Sequence, residues 1–217
     1  MRKFEFFHGV VTDQHRRARI QFLHTVYYSH NCGKVNRRAF FLDIGAEKNY
    51  NVVMIILGID PGIGTMGYGV VEKDKNGNCT AVDYGVVKTP KDENLAVRLC
   101  MLEEGVNALI DKFHPDEAAM EELFFSKNVT TGIAVAHARG VTLLTLNKRC
   151  GRIFEYTPNQ IKQALTGYGK ADKGQMQRIV ASHLRLKSIP RPDDAADALG
   201  VALCHAFTSR FSTLFRV

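Results

Sequence analysis

From Met54 onward, short apolar runs closed by glycine, proline or asparagine give way to longer stretches with helical spacing. "MIILGID" reads as a buried strand that ends in an acid, "PGIGTMG" as a turn and "YGVVEKD" as a second strand. "NG" at 76–77 marks the next turn, and "CTAVDYGVVKT" reads as a third strand, so the first three strands are expected to form an antiparallel meander. In "ENLAVRLCMLEEGVNALIDKF", Leu95, Leu99, Leu102, Val106, Leu109 and Ile110 recur at helical spacing. "PDEAAMEELF" predicts a short strand ending near Glu121, "VTTGIAVAHARGVTLLTLNKR" a helix rich in small residues, and "GRIFEYT" a fifth strand. "TPNQIKQALTG" opens with Thr157 as a helix N-cap and Pro158 at the first helical position. Two more helices, "DKGQMQRIVASHLRLK" and "PDDAADALGVALCHAFTSRF", close the chain. A meander followed by alternating helix and strand predicts an α/β fold with a mixed five-stranded sheet flanked by helices.

Residues 1–53 break this regularity. They hold nine of the 20 aromatic residues and four of the eight histidines, without a sustained helical or strand period. They also hold nine Lys/Arg against four Asp/Glu, so +5 of the chain's +7 net charge lies there and only +2 on residues 54–217. The expectation is a poorly ordered extension, or a stretch upstream of a true start at Met54, ahead of one domain over 54–217. A basic arm with aromatics for stacking on nucleic acid is the functional alternative. A polyanion would have to meet the main body through a local basic patch or through metal ions. The five cysteines, Cys32, Cys79, Cys100, Cys150 and Cys204, form neither a zinc knuckle nor a redox pair, and free thiols in a reducing compartment are expected. No apolar run approaches the roughly 20 residues of a membrane span, and no secretory signal is visible.

Three acidic positions carry the candidate chemistry. Asp60 ends the first strand, Glu121 ends the fourth, and Asp194 and Asp197 stand three apart on the last helix and so share a face. If the first and fourth strands are neighbours with the last helix beside them, four carboxylates converge where strands end, the place where α/β sheets build their sites. Converging carboxylates repel one another and lose hydration, which a hard divalent cation offsets. Two such ions suit phosphodiester cleavage. Bland readings stand beside this one: Asp193 or Asp194 as a helix N-cap, Asp197 as a first-turn acid, Asp60 as a turn residue, Glu121 and Glu122 as a solvated pair. Their joint order outweighs each taken alone.

The blocks "ILGIDPGIGTMGYGVV", "AAMEELFFSKN", "AHARGV", "FEYTPNQIKQALTGYGKADKGQMQ" and "DDAADALGVALCHA" resemble the RuvC family of bacterial Holliday junction resolvases, in the right order from Met54 to about Ala206. The resemblance implies an RNase H-like fold and a cytoplasmic, homodimeric crossover junction endodeoxyribonuclease. Such an enzyme uses Mg²⁺ or Mn²⁺, two ions per site, to nick opposed strands of a four-way junction and leaves 5′-phosphate and 3′-hydroxyl ends. It implies Asp60, Glu121, Asp194 and Asp197 as catalytic metal ligands, with Asp193 and Glu122 outside the motifs. It further implies Phe124 stacking on junction bases, Lys162 and Lys173 on phosphates, and a branch-migration complex of RuvA and RuvB as partner.

Read from the residues alone, core packing is the commoner explanation for both Phe124 and Phe125, with one stacking aromatic among them as the alternative. Lys162, Lys170, Lys173, Arg178, Arg185 and Lys187 make either a solvated helix face or a phosphate track. His137 and His205 lie on apolar helix faces and are expected as satisfied core or interface residues. The small-residue helix suits close packing on its own sheet or a dimer contact. "TGYGKADKGQ" lacks the Gly-x₄-Gly-Lys-Ser/Thr spacing of a phosphate loop, which argues against nucleotide binding there. An actin-like ATPase would need a second strand–turn "DxG" and a longer chain. A junction-binding module without catalysis would not need intact carboxylates.

Overall fold

The structure is a computed structural model that describes residues 53–122 and 129–209. The expectation for residues 1–53 therefore lies, but for Val53, outside the described residues. β1 (Met54–Asp60), β2 (Thr65–Lys73) and β3 (Cys79–Lys88) form the expected antiparallel meander. α1 (Leu95–Phe113), β4 (Glu117–Glu121), α2 (Val129–Arg149) and β5 (Ile153–Tyr156) follow. α3 (Pro158–Thr166), α4 (Lys173–His183) and α5 (Asp193–Thr208) complete the order. The sheet runs β3-β2-β1-β4-β5, with β4 parallel to both β1 and β5. The mixed five-stranded α/β sheet is thus as expected.

Local chemistry sets the helix starts. Asn94 caps α1 by accepting from Val97 N at 3.0 Å, and Thr157 and Asp172 each form a reciprocal capping box with a glutamine three residues on, Gln160 and Gln175. The N-cap of α5 is Pro192, with no side-chain cap bond, so Asp193 and Asp194 are first-turn acids and the bland alternative that made one of them the cap does not hold. Two boundaries also shift. β2 starts at Thr65, inside the stretch expected as a turn, because Gly67 pairs with both Asp60 and Val86. α4 ends at His183 rather than running to Lys187, with Arg185 at φ 51.

Strand parity divides the core. Leu57, Ile59, Met66, Tyr68, Val70, Ala118 and Met120 face α1 and α2, meeting Leu102, Val106 and Leu146. Ile56, Val71, Ala119, Phe154 and Tyr156 face α3, α4 and α5, meeting Ile161, Val180 and Leu199. On that second face α5 rests directly on glycines. A Cβ at Gly58 would stand 2.2 Å from Ala198 O, one at Gly67 2.0 Å from Asp194 O and one at Gly69 2.8 Å from Leu199 Cα. Gly67→Ala is therefore expected to push the acidic end of α5 off β2 and to lower stability by about 1–3 kcal/mol, read as a fall in urea midpoint. An unchanged midpoint would mean that the helix is not held there.

Candidate active site

Parity and register bring the first two acids together. Ile59 lies opposite Met120 in the parallel β1–β4 pair, so Asp60 and Glu121, the next residue on each strand, leave the sheet side by side. Asp60 shares a face with Gly58, and Glu121 with Ala119, the face on which α5 lies. The close approach of α5 at Gly67 sets Asp194 beside the end of β1, and Asp197 lies three residues further along the helix.

The electrostatics show the four as one cluster. Burial, then the charges of Glu121, Asp197 and Asp194, push the Asp60 carboxyl up to about 7, against a smaller pull from Lys173. Glu121 is raised by burial and by Asp197, with Lys162 and Lys173 opposing. Asp197 is raised by burial, although its hydrogen bond to Lys173 works the other way. Lys173 lies 3.2 Å from Asp197 Oδ2 and 3.5 Å from Asp193 Oδ2. Partial burial lowers its pKa, but Asp197 and Asp193 together more than reverse that. Asp193, also paired with Arg191, shares Lys173 with Asp197 and adds its charge there, whereas the exposed Glu122 takes no part in these shifts, and Glu121 with Glu122 is not a solvated pair.

An all-carboxylate donor set with excess negative charge suits a hard divalent cation. As the side chains stand, no group of three or more His, Cys, Asp or Glu among the described residues is gathered closely enough to hold a metal ion. Lys173 supplies the positive charge at Asp197 instead. Metal binding would thus draw the acids inward and displace the ammonium.

Lys162 and Lys173 both line a cavity that opens beside Glu121 and Asp197. Phe124 lies outside the described residues. His205 is fully buried and satisfied, as expected, whereas His137 is exposed and so is not a core residue of this chain. An isolated apolar flank does not by itself bury a residue on a helix one face of which meets solvent. Two features escaped sequence reading. Gln177, only 6% exposed, lines the cavity four residues after Lys173, and Gly200 interrupts an otherwise apolar helix. A lone glycine inside a helical pattern was the available signal.

The sequence profile described as "Crossover junction endodeoxyribonuclease RuvC" matches residues 56–205, more than half of the chain. The chain belongs to the RuvC family. It is 52% identical over 157 residues to the RuvC of Clostridioides difficile, covering 72% of this chain and 92% of that protein. The RuvC of Petrotoga mobilis is 55% identical over 152 residues, covering 70% of this chain and 93% of the relative. Among solved structures, "T. thermophilus RuvC in complex with Holliday junction substrate" shares 35% identity and a TM-score of 0.71, covering 76% of this chain and 99% of that one. A yeast mitochondrial Holliday junction resolvase, at 14% identity and a TM-score of 0.56 over 74% of this chain and 81% of its own, shares the fold alone. The fold is RNase H-like, as the resemblance implied. Among the described residues, no helix is long and apolar enough to cross a membrane.

Proposed function

We propose that this RuvC family member is a crossover junction endodeoxyribonuclease that resolves four-way DNA junctions by paired nicks, in recombination and repair. One observation carries the reading: Asp60 and Glu121, from adjacent parallel strands, meet the acidic end of α5, and burial with the charge of Asp197 raises both carboxyls. Asp60, Glu121, Asp194 and Asp197 would hold Mg²⁺ or Mn²⁺, two ions per site. Such ions, when bound, supply Lewis acidity toward the phosphodiester and an acidified water. The chain's own residues do the positioning. Asp60, Glu121, Asp194 and Asp197 are all half-buried at the sheet end, and the glycine contacts of α5 fix Asp194 and Asp197 against β1 and β2.

Lys162 and Lys173 would take the phosphates, Lys173 exchanging its carboxylate partners for them. Phe124, three residues past Glu121, remains the proposed stacking aromatic. A two-fold homodimer would present two such sites to two symmetric strands, in the bacterial cytoplasm beside RuvA and RuvB. Residues 54–217 would be the nuclease domain, and 1–53 an extension to it.

The test is nicking of a synthetic four-way junction against a matched linear duplex, with Mg²⁺ and with chelator. Symmetric, Mg²⁺-dependent nicks confined to the junction, with 5′-phosphate and 3′-hydroxyl ends, are expected. Equal cutting of linear duplex would overturn the substrate, and nicking in chelator would overturn the metal. Lys162→Ala should weaken binding to junctions of any sequence and make the slope of log affinity against log salt shallower by about 1, as the loss of one phosphate contact requires. An unchanged slope would remove Lys162 from the phosphate track.

A further inference from the structure

Gly58, Gly67 and Gly69 are glycines because α5 leaves no room for a side chain. Gly200 has no such reason. It lies inside α5, and a Cβ there would meet only Val180 Cγ2 at 3.6 Å and Ile161 Cγ2 at 3.9 Å, both ordinary contacts. Alanine would fit and would favour the helix. What the glycine preserves is space. Gly200 forms part of a cavity of about 220 Å³ enclosed by α3, α4 and α5, with Ile161, Met176 and Val180 as its apolar walls. Its lining also includes Glu121 and Asp197 of the acidic cluster, together with Lys162 and Lys173.

We propose that this cavity is a nucleobase subsite, which receives a base turned out of the stack next to the phosphate being cut. The inference rests on the nuclease reading of the carboxylate cluster. A phosphate drawn to that cluster and its lysines would adjoin the cavity's apolar wall of Ile161, Met176 and Val180, because Glu121 and Asp197 line the same cavity. The group that hangs from the backbone at that distance and has apolar faces is the base. The chamber is smaller than the roughly 300–1,000 Å³ of pockets for drug-sized ligands, which suits a single ring system. Met176 offers a polarisable sulfur to an aromatic face. Gln177, which also lines the cavity, offers its amide to a base edge. Enzymes that extrude a base lose least where it is already poorly paired, and the crossing point of four strands is such a place.

Gly200→Ala and Met176→Phe fill the cavity from two sides without touching the carboxylates. The probe is a set of four-way junctions carrying a single abasic nucleotide at successive positions on either side of each cut, nicked under single-turnover conditions. Gly200→Ala should melt no lower than the wild type and nick the intact junction about tenfold more slowly, the scale set by one methyl group in a tight pocket. At one abasic position the gap between wild type and both variants should close, since no base is left to seat. Variants that nick the intact junction at the wild-type rate would overturn the subsite, as would a gap that persists at every abasic position. A wild type that nicks no junction would overturn the nuclease reading itself, and the subsite with it.

Discussion

Asp60→Asn is expected to slow junction nicking by about 10³-fold or more, to leave junction binding intact, and to raise the melting temperature in chelator. The rate effect follows from the proposed role of Asp60: the substitution would remove one charged ligand of a site whose cations, when bound, would supply several kcal/mol of transition-state stabilisation. Asparagine keeps the shape and loses the charge, so the lysines and the DNA-facing surface are untouched. The stability effect has the opposite sign because Asp60 is a liability in the metal-free fold. Its carboxyl ordinarily titrates at 3.8 and is held at about 7 by burial and by Glu121, Asp197 and Asp194. Between those values the folded protein binds more protons than the unfolded chain, so stability falls as pH rises from about 4 to about 7 and this group adds nothing further above that. A shift of that size corresponds to roughly 4 kcal/mol at the alkaline end. Thermal melts in chelator from pH 5 to 8 should therefore fall steeply for wild type and flatten in Asp60→Asn. Mg²⁺ should raise the wild-type melt, by binding the native state alone, and the variant's far less. Nicking at the wild-type rate by Asp60→Asn would remove it from the machinery, and identical pH profiles would remove the repulsion.

The acids at the ends of β1 and β4 were legible because strand alternation is local: each run of residues states which faces are buried and where the strand stops. That β1 and β4 are neighbours was only a condition in the sequence, since parallel pairing depends on contacts 61 residues apart, as between Ile56 and Glu117. At the start of α5 the bland alternative fails for a physical reason. Asp193 and Asp194 are good caps, but Pro192 already occupies the N-cap position, and Asp194 is held by the sheet at Gly67. The family resemblance implied phosphate contacts for Lys162 and Lys173, which composition left open between a solvated face and a phosphate track. It said nothing of Lys173 lying against Asp197, which depends on the starts of α4 and α5 meeting in space. Gln177 and Gly200 were invisible for the same reason: a cavity belongs to three helices at once, and no single helix records it.

The far end of α5 gives the second large effect. Glu117 lies four residues before Glu121 on β4 and so on the same face, but it is buried at the opposite end of the strand. His205 Nε2 lies 2.7 Å from Glu117 Oε2, and His205 Nδ1 lies 2.7 Å from the Tyr156 hydroxyl. The network is satisfied when the tyrosine hydroxyl donates to Nδ1 and the Nε2–H donates to the carboxylate. The bond to His205, ahead of the opposing effect of burial, holds the Glu117 carboxyl below its ordinary range, with Arg152 contributing at 3.3 Å. Phe154 stacks on the imidazole with centroids 4.4 Å apart. One ring thus ties β4, β5 and α5 together, the elements that carry Glu121, Asp194 and Asp197. His205→Leu keeps the bulk, strips the carboxylate of its buried partner and leaves the tyrosine hydroxyl without its acceptor. It is expected to lower stability by about 3–5 kcal/mol, a third or more of what a domain of this size has to lose, read from the urea midpoint at constant slope. Glu117→Gln, which still accepts from the imidazole, should lose about 1 kcal/mol. Pairing His205→Leu with Glu117→Met removes both polar partners, and should recover more than half of the single-variant loss, because the unpaired charge rather than the missing bond carries most of the penalty. A double variant at the sum of its two singles would show the pair to be uncoupled, and the ring would then hold β5 through Tyr156 and Phe154 without help from Glu117.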